Sequence, residues 1–125
     1  MPRTAITTEK IAKPVGPFSP AVRVGDITYL SGQVAQDPVT GKLITGDVAA
    51  QTERIFRNIE ATLQAAHVTL DHVVKVTVYL TDMKEYAAMN EVYGRQFSAP
   101  HPARTTVAVA SLPLGAAVEL DVIAQ

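Results

Sequence analysis

The chain contains no cysteine among its 125 residues. Disulfides, thiolate metal sites and a cysteine nucleophile are therefore excluded. It also lacks an excess of either charge, because a net charge of −1 provides no long-range attraction to nucleic acid or to an anionic membrane. No stretch reaches transmembrane length, and Met1 to Lys13 lacks the apolar run of a signal peptide. We therefore expect a cytoplasmic protein without membrane or nucleic-acid partners.

Signatures of cofactor binding are missing as well. Gly41-Lys42 lacks the rest of a phosphate-binding loop, and no dinucleotide fingerprint occurs. His67, His72 and His101 have no metal-ligand spacing with carboxylates, and no Ser-His-Asp grouping is evident. We therefore expect a site that uses neither a metal nor an organic cofactor.

Hydrophobic residues make up 47% of the chain and charged residues 18%, a balance that favours a single packed domain over residues 1–125. Periodicity predicts the strands Thr4–Thr8, Ile27–Ser31, Val73–Leu80, Ala103–Val109 and Val118–Ala124. It also predicts a helix at Val48–Ala66 that Asp47 caps, and a second helix at about Met83–Phe97. Three prolines between Pro14 and Pro20 predict an ordered loop around Phe18.

This order of elements predicts an α+β fold, with a mostly antiparallel sheet covered on one face by two helices. The other face of the sheet then needs water or a partner. Several of its positions are too apolar for water, so we expect subunits to associate through the sheet.

Two charged residues on the last two strands are the best candidates for chemistry. Alternation places Arg104 with Thr106, and Glu119 with Asp121, on one face of their respective strands. If these strands pair as neighbours, Arg104 and Glu119 approach each other. One interpretation is a structural salt bridge, since such charges are costly unless paired. In the other, the arginine binds a ligand carboxylate and the glutamate holds or activates a water.

Two further positions carry polar groups at sites where such groups need partners. Asn90 interrupts the aromatic stripe of the second helix, so it either pins a loop backbone or touches a ligand. Ser31-Gly32 closes a strand, and the glycine there permits close backbone approach. The serine hydroxyl and the neighbouring N–H groups could bind an anion.

Several segments together carry a family resemblance over nearly the whole chain. They are, in order, Gly16–Ala21, Leu30–Gln33, Asp37–Gly41, Val48–Thr52, Val76–Asp82, Met89–Tyr93, Pro102–Thr105 and Val118–Leu120. Each segment alone is a weak signal, but in order and spacing they resemble the Rid reactive intermediate deaminases, also called the YjgF family.

The resemblance implies a chorismate-mutase-like fold and a homotrimer whose sheets line a central barrel, with three ligand clefts between subunits. It also implies hydrolysis of 2-imino and 2-enamino acids to 2-keto acids and ammonia. In this family's terms, Arg104 binds the substrate carboxylate and Glu119 lies near the attacking water. Ser31, Gly32 and Asn90 match further positions of the same cleft.

Two positions depart from the best-known pattern of the family. Phe18 stands in place of a tyrosine, so a hydroxyl that could bond the ligand or the water is missing. In this respect the chain also resembles the aminoacrylate deaminase branch. Thr106 stands in place of a frequent cysteine, where the family's ligand contact is expected mainly through the backbone N–H.

Three alternatives to this function stay open at the level of sequence. The first is a non-catalytic trimer that binds small keto acids, which the missing hydroxyl at Phe18 favours. The second is a ribonuclease or translation inhibitor, against which the near-neutral charge weighs. The third is a deaminase for larger substrates, which the size of the cleft would decide.

Overall fold

Residues 2–125, which the computed structural model describes, form six strands and two α-helices; Met1 lies outside the described residues. The elements are β1 (Thr4–Ile6), β2 (Ala21–Val24), β3 (Ile27–Leu30), α1 (Val48–Ala65), β4 (Val73–Leu80), α2 (Tyr86–Gly94), β5 (Ala103–Ala108) and β6 (Val118–Ala124). The short strand β2 directly follows the proline-rich loop and was not predicted from the sequence.

An aspartate caps α1 directly, and another caps the 3₁₀ turn that precedes α2. The Asp47 carboxylate accepts a hydrogen bond from the Ala50 N–H at 2.9 Å, which confirms the predicted cap of α1. Asp82 accepts from the Lys84 N–H at 2.9 Å and caps a 3₁₀ turn at Met83–Glu85. This turn leads into α2, which is therefore shorter than the predicted helix.

The sheet has the strand order β1-β2-β3-β6-β4-β5, with antiparallel neighbours except for the parallel pair β4 and β5. The α+β architecture with a mostly antiparallel sheet is thus confirmed. The expectation that β5 and β6 could be neighbours is wrong, because β4 lies between them. Helix α2 connects β4 to β5 as a crossover, and a crossover makes the two strands parallel.

The core lies between the helices and one face of the sheet. Alternation on β4 and β6 sends every second side chain to this covered face, where all are buried. The residues that are fully buried there include Ile55, Phe56, Ile59, Leu63, Val76, Val78, Leu80, Leu120 and Val122.

The opposite face of the sheet, here called the open face, carries a mixture of polar and apolar side chains. Tyr79 donates a hydrogen bond to Asp121 at 3.1 Å, and Lys75 donates one to Thr105 at 2.7 Å. The Tyr29 and Val107 side chains are 42% and 39% exposed. A surface on which apolar side chains are exposed beside polar side chains that already bond to each other is suited to contact with another protein.

No helix in the described part of the chain is both long enough and apolar enough to span a bilayer.

Candidate active site

The guanidinium of Arg104 is held by residues of α2. Its Nη1 donates to the Asn90 Oδ1 and its Nη2 donates to the Tyr86 hydroxyl, both at 2.7 Å. Its central carbon also lies 4.6 Å from the ring centroid of Tyr93 and 5.5 Å from that of Tyr86. We call Tyr86, Asn90, Tyr93 and Arg104 the Arg104 cluster. Two hydrogen bonds and two aromatic faces fix the plane of the guanidinium.

Helical spacing explains why α2 forms this cluster. Tyr86, Asn90 and Tyr93 are separated by four and three residues, so they lie on one face of the helix. On β5, Arg104 pairs in register with Val76, which faces the helices and is fully buried. The arginine therefore projects toward α2 and meets this stripe.

The partners of Arg104 are all uncharged. Within residues 2–125 the ion pairs involve Arg57 with Glu53 and Glu60, and none involves Arg104. A guanidinium has five N–H donors, and within residues 2–125 only two hydrogen bonds from Arg104 are made. The cluster therefore presents an oriented cation that can bind a carboxylate.

Asn90 and Thr106 accompany Arg104 on this face of the sheet. The amide of Asn90 binds the arginine and not a loop backbone, so the loop-pinning interpretation is wrong. Thr106 pairs in register with Val78 and faces the helices as Arg104 does. Its Oγ1 is buried and has no hydrogen-bond partner within residues 2–125. Such a hydroxyl can still bond to a ligand or a water.

Glu119 lies in a cleft at the start of β6 and not in the Arg104 cluster. The cleft has a volume of about 340 Å³, and its lining includes Phe18, Gly32 and Glu119. We call it the Glu119 cleft. Three of the predicted site residues are thus brought together here, although they come from separate segments of the chain.

Gly32 makes room for the carboxylate of Glu119. A Cβ atom at Gly32 would lie 2.4 Å from Glu119 Oε2 and 2.9 Å from its carboxyl carbon. Neither distance is possible for real atoms, so only glycine permits this position of the carboxylate. Gly32 was predicted to lie in the wall of the cleft. In the structure its missing side chain allows the Glu119 carboxylate to pack against the backbone.

The surroundings of Glu119 favour the protonated form of its carboxyl group. Burial raises the pKa of this carboxyl above its ordinary value, and the negative charge of Asp121 on the same face raises it further. A carboxylate with a raised pKa is a stronger base toward a bound water.

Ser31 fastens the proline-rich loop to the end of β3. Its hydroxyl donates to the Ser19 carbonyl at 2.7 Å, and its N–H donates to the Pro20 carbonyl at 2.9 Å. These two bonds position Phe18, whose ring is 52% exposed and faces the Glu119 cleft. In this chain Ser31 holds the loop, and its hydroxyl oxygen is left with acceptor capacity only.

Arg104 and Glu119 do not approach each other within the chain. Arg104 contacts α2 on the covered face, whereas Glu119 lies between the buried Val118 and Leu120 and so points to the open face. Strand β4 also separates their two strands. The interpretation as an intrachain salt bridge is therefore wrong. The candidate site residues form two separate groups, the Arg104 cluster on the covered face of the sheet and the Glu119 cleft on the other side.

Comparison with known proteins identifies the family to which this chain belongs. The family model described as Endoribonuclease L-PSP matches residues 8–125. A solved structure of RidA from the Antarctic bacterium Psychrobacter sp. superimposes with a TM-score of 0.93 and 45% identity. The match covers 97% of this chain and 98% of that one. The chain belongs to the Rid family.

Rid relatives with similar sequences carry different names. Protein DfrA of Myxococcus xanthus is 48% identical over 126 residues, which cover 99% of this chain and 96% of that protein. A 2-iminobutanoate/2-iminopropanoate deaminase of Dermatophagoides farinae is 37% identical over 120 residues, which cover 96% of this chain and 94% of that protein. The names within the family thus range from ribonuclease to deaminase, so the names alone do not assign a reaction to this chain.

Sequence reasoning about this Rid chain missed the groups that hold Arg104. The sequence predicted the aromatic stripe of the second helix, but only Asn90 on this stripe was singled out as a candidate. Without an ion pair within residues 2–125, Arg104 donates to neutral acceptors on this stripe, namely Asn90 Oδ1 and the Tyr86 hydroxyl. The apolar residues of the Glu119 cleft come from three connecting segments and carry no periodic signal.

Proposed function

We propose that this protein hydrolyses 2-imino and 2-enamino acids to 2-keto acids and ammonia. The observation that carries the proposal is the Arg104 guanidinium, held by neutral groups and without a carboxylate partner in residues 2–125. Arginine held in this way suits a planar carboxylate, which every 2-imino acid carries next to its reacting carbon. The deaminase name of the Dermatophagoides farinae relative supports the same reaction.

The reaction needs only a positioned substrate and a positioned water. An enamine first tautomerises to the imine, and Arg104 binds the carboxylate. Water held by Glu119 adds its oxygen to the C=N carbon while the nitrogen gains a proton. The resulting carbinolamine loses ammonia as its C–N bond breaks and its hydroxyl becomes the keto group. Since imines already hydrolyse in water, orientation and one general base are sufficient.

The Arg104 cluster and the Glu119 cleft meet only if a second copy of the chain takes part. One copy provides the Arg104 cluster, and the next provides Glu119 with Gly32 and Phe18. We propose a homotrimer in which the open faces of the sheets line a central barrel and each ligand cleft lies between two subunits. The exposed Tyr29 and Val107 on the open face support this mode of association.

The experiment that tests this function is a coupled assay. A serine/threonine dehydratase generates 2-aminoacrylate or 2-iminobutyrate, and the appearance of the 2-keto acid is followed with wild type and with Arg104→Ala. Acceleration by wild type that Arg104→Ala abolishes supports the proposal. Equal rates for the two folded proteins would overturn it.

One observation favours a second function, the binding of small keto acids without turnover. Phe18 brings a ring without a hydroxyl to the Glu119 cleft, so the water has one partner fewer than a tyrosine would give it. Calorimetric binding of 2-oxobutyrate together with no rate enhancement in the coupled assay would select this function.

A further inference from the structure

The hydroxyl of Tyr86 holds Arg104 and still has its own proton to donate. Its oxygen accepts from Arg104 Nη2 at 2.7 Å, and this is the hydrogen bond that it makes within residues 2–125. A guanidinium has no acceptor, so the proton of Tyr86 cannot bond back to Arg104 and points to a third group. A hydroxyl that accepts a charge-assisted hydrogen bond is polarised and becomes a stronger donor. The Arg104 cluster therefore offers an O–H donor directly beside its cation.

The fold fixes the position of this hydroxyl. Tyr86 is the first residue of α2 and follows the turn that Asp82 caps. Its side chain is partly buried and packs against the core, and its ring centroid lies 5.5 Å from Arg104 Cζ. A donor that is held in place before the ligand arrives loses little conformational freedom on binding. The Tyr86 hydroxyl is therefore a preorganised group for recognition.

The spacing of Arg104 and Tyr86 matches a polar atom that lies next to a carboxylate. The two N–H bonds of Nη2 diverge by about 120°, so two oxygens that accept from them lie roughly 4.8 Å apart. The Tyr86 oxygen is one of these acceptors, and a carboxylate oxygen of the ligand can be the other. In a planar 2-oxo acid the 2-oxygen lies about 2.7 Å from the nearer carboxylate oxygen. This 2-oxygen can therefore accept from Tyr86 while the carboxylate binds Arg104.

Only some carboxylic acids present an acceptor at this point. The oxygen of a 2-oxo acid and the nitrogen of a neutral 2-imino acid each carry a lone pair in the molecular plane. The NH2 nitrogen of a 2-enamino acid delocalises its lone pair into the C=C bond, so it donates and does not accept. A simple carboxylic acid has only C–H groups there. An O–H donor at this point therefore favours 2-imino and 2-oxo acids over the other two classes.

We propose that Tyr86 is a specificity-determining residue whose O–H binds the heteroatom on C2 of the ligand while Arg104 binds the carboxylate. This inference rests on the proposed function, which supplies the class of substrate. Phe18 brings a ring without a hydroxyl to the Glu119 cleft, so Tyr86 supplies a phenolic donor from the side of the Arg104 cluster. The imine tautomer is then bound in preference to the enamine, and it is the imine that water attacks.

The test measures the affinities of 2-oxobutyrate and butyrate by calorimetry, because these two ligands differ only in the acceptor on C2. Wild type should bind 2-oxobutyrate more tightly than butyrate. Tyr86→Phe keeps the ring beside Arg104 and removes the hydroxyl. Both affinities should fall, since the guanidinium is less fixed. The affinity for 2-oxobutyrate should fall about fivefold more than that for butyrate, which is typical of one lost hydrogen bond.

Tyr93→Phe is the matched comparison, because it removes a hydroxyl from the same face of α2 without breaking the bond to Nη2. The Tyr93 hydroxyl is buried and has no hydrogen-bond partner within residues 2–125, and its ring centroid lies 4.6 Å from Arg104 Cζ. A change in how the guanidinium is held should affect both ligands by the same factor, so the ratio of the two affinities should stay at its wild-type value. A ratio that is unchanged in Tyr86→Phe, or that falls equally in both variants, would overturn the inference.

The failure of this inference is distinguishable from the failure of the proposed function, because the two affinities do not depend on turnover. Wild type that accelerates imine hydrolysis, together with an unchanged ratio in Tyr86→Phe, contradicts only the inference. A fivefold lower ratio in a protein that accelerates no imine supports the contact with Tyr86 and contradicts the proposed function. Wild type that binds neither ligand contradicts both.

Discussion

Arg104 and Glu119 lie on opposite faces of the same sheet, with β4 between their strands. Each is supported by its own set of neighbours, the arginine by α2 and the glutamate by Gly32. A residue pair arranged in this way has no function as an intrachain ion pair. This separation is what the proposed active site between two copies of the chain requires.

Arg104→Ala should lower kcat/KM for 2-iminobutyrate by roughly a hundredfold or more, because hydrogen bonds to a charged group contribute about 1.5–3 kcal/mol each. Steady-state rates in the coupled assay measure this. Arg95→Ala removes an exposed arginine just after α2 and is the control that should keep wild-type rates. An equal loss in both variants would point to net charge and not to a specific contact.

Tyr86→Phe should weaken the binding of 2-oxobutyrate by about tenfold and leave kcat nearly unchanged. The variant keeps the ring beside Arg104 but loses the hydroxyl that accepts from Nη2. The guanidinium is then less fixed, which affects carboxylate binding more than the attack of water. Calorimetry and kinetics together separate the two effects. A drop in kcat at unchanged affinity would contradict this role.

Gly32→Ala should lower kcat by tenfold or more, since general-base contributions reach about 10²–10⁴. The new Cβ would overlap Glu119 Oε2 and force the carboxylate away from its position. Affinity for 2-oxobutyrate should change little, because Arg104 is assigned to that contact. Gly94→Ala is the control, since a Cβ there meets nothing within 4 Å. Full activity in Gly32→Ala would show that the position of Glu119 is not required.

The acid limb of the pH profile of kcat/KM should report the ionisation of the Glu119 carboxyl. As a base it must be ionised, and its raised pKa places the midpoint of kcat/KM above the ordinary value of 4.5. Asp121→Asn removes the second cause of the shift and should move the midpoint to lower pH, while burial keeps it above 4.5. Asp71→Asn, at an exposed position, should leave the profile in place. A midpoint that moves equally in both variants would assign the limb to another group.

The stability of the fold should also depend on the protonation of Glu119. Activity needs the ionised carboxylate, whereas stability is higher when the carboxyl is protonated. A raised pKa in the folded state means that the folded chain binds this proton more tightly than the unfolded chain does. Its contribution to stability is therefore present at low pH and lost as the pH rises through the folded-state pKa. Glu119→Gln should therefore raise Tm above that of wild type at pH 7 but not at pH 4. The control Glu91→Gln, at an exposed position, should leave Tm unchanged at both pH values.

Alternation and capping were sufficient to predict the elements that matter most for the core. The bounds of β4 and β6 agree with the prediction, and Asp47 caps α1 as expected. Strand β2 was missed because only four residues separate the last proline of the loop from Gly25. A strand that short has no periodicity of its own and is formed by pairing with β1 and β3.

The pairing of strands was the part that local patterns could not determine. Period-2 alternation correctly placed Arg104 with Thr106, and Glu119 with Asp121, but it says nothing about which faces of two strands coincide. The strand–helix–strand order from β4 to β5 did contain a usable signal, since such a crossover favours a parallel pair. Applied to this chain, it would have placed β4 beside β5 and changed the interpretation of Arg104.

The most direct test of the intersubunit site combines two inactive variants. Arg104→Ala and Glu119→Gln subunits are refolded together in equal amounts, and imine hydrolysis by the mixed oligomers is measured beside each variant alone. If one copy supplies the arginine and the next supplies the glutamate, random mixing restores about a quarter of the wild-type sites. Mixed oligomers that form, as verified by native mass spectrometry, but show no recovered activity would contradict a site built from two subunits.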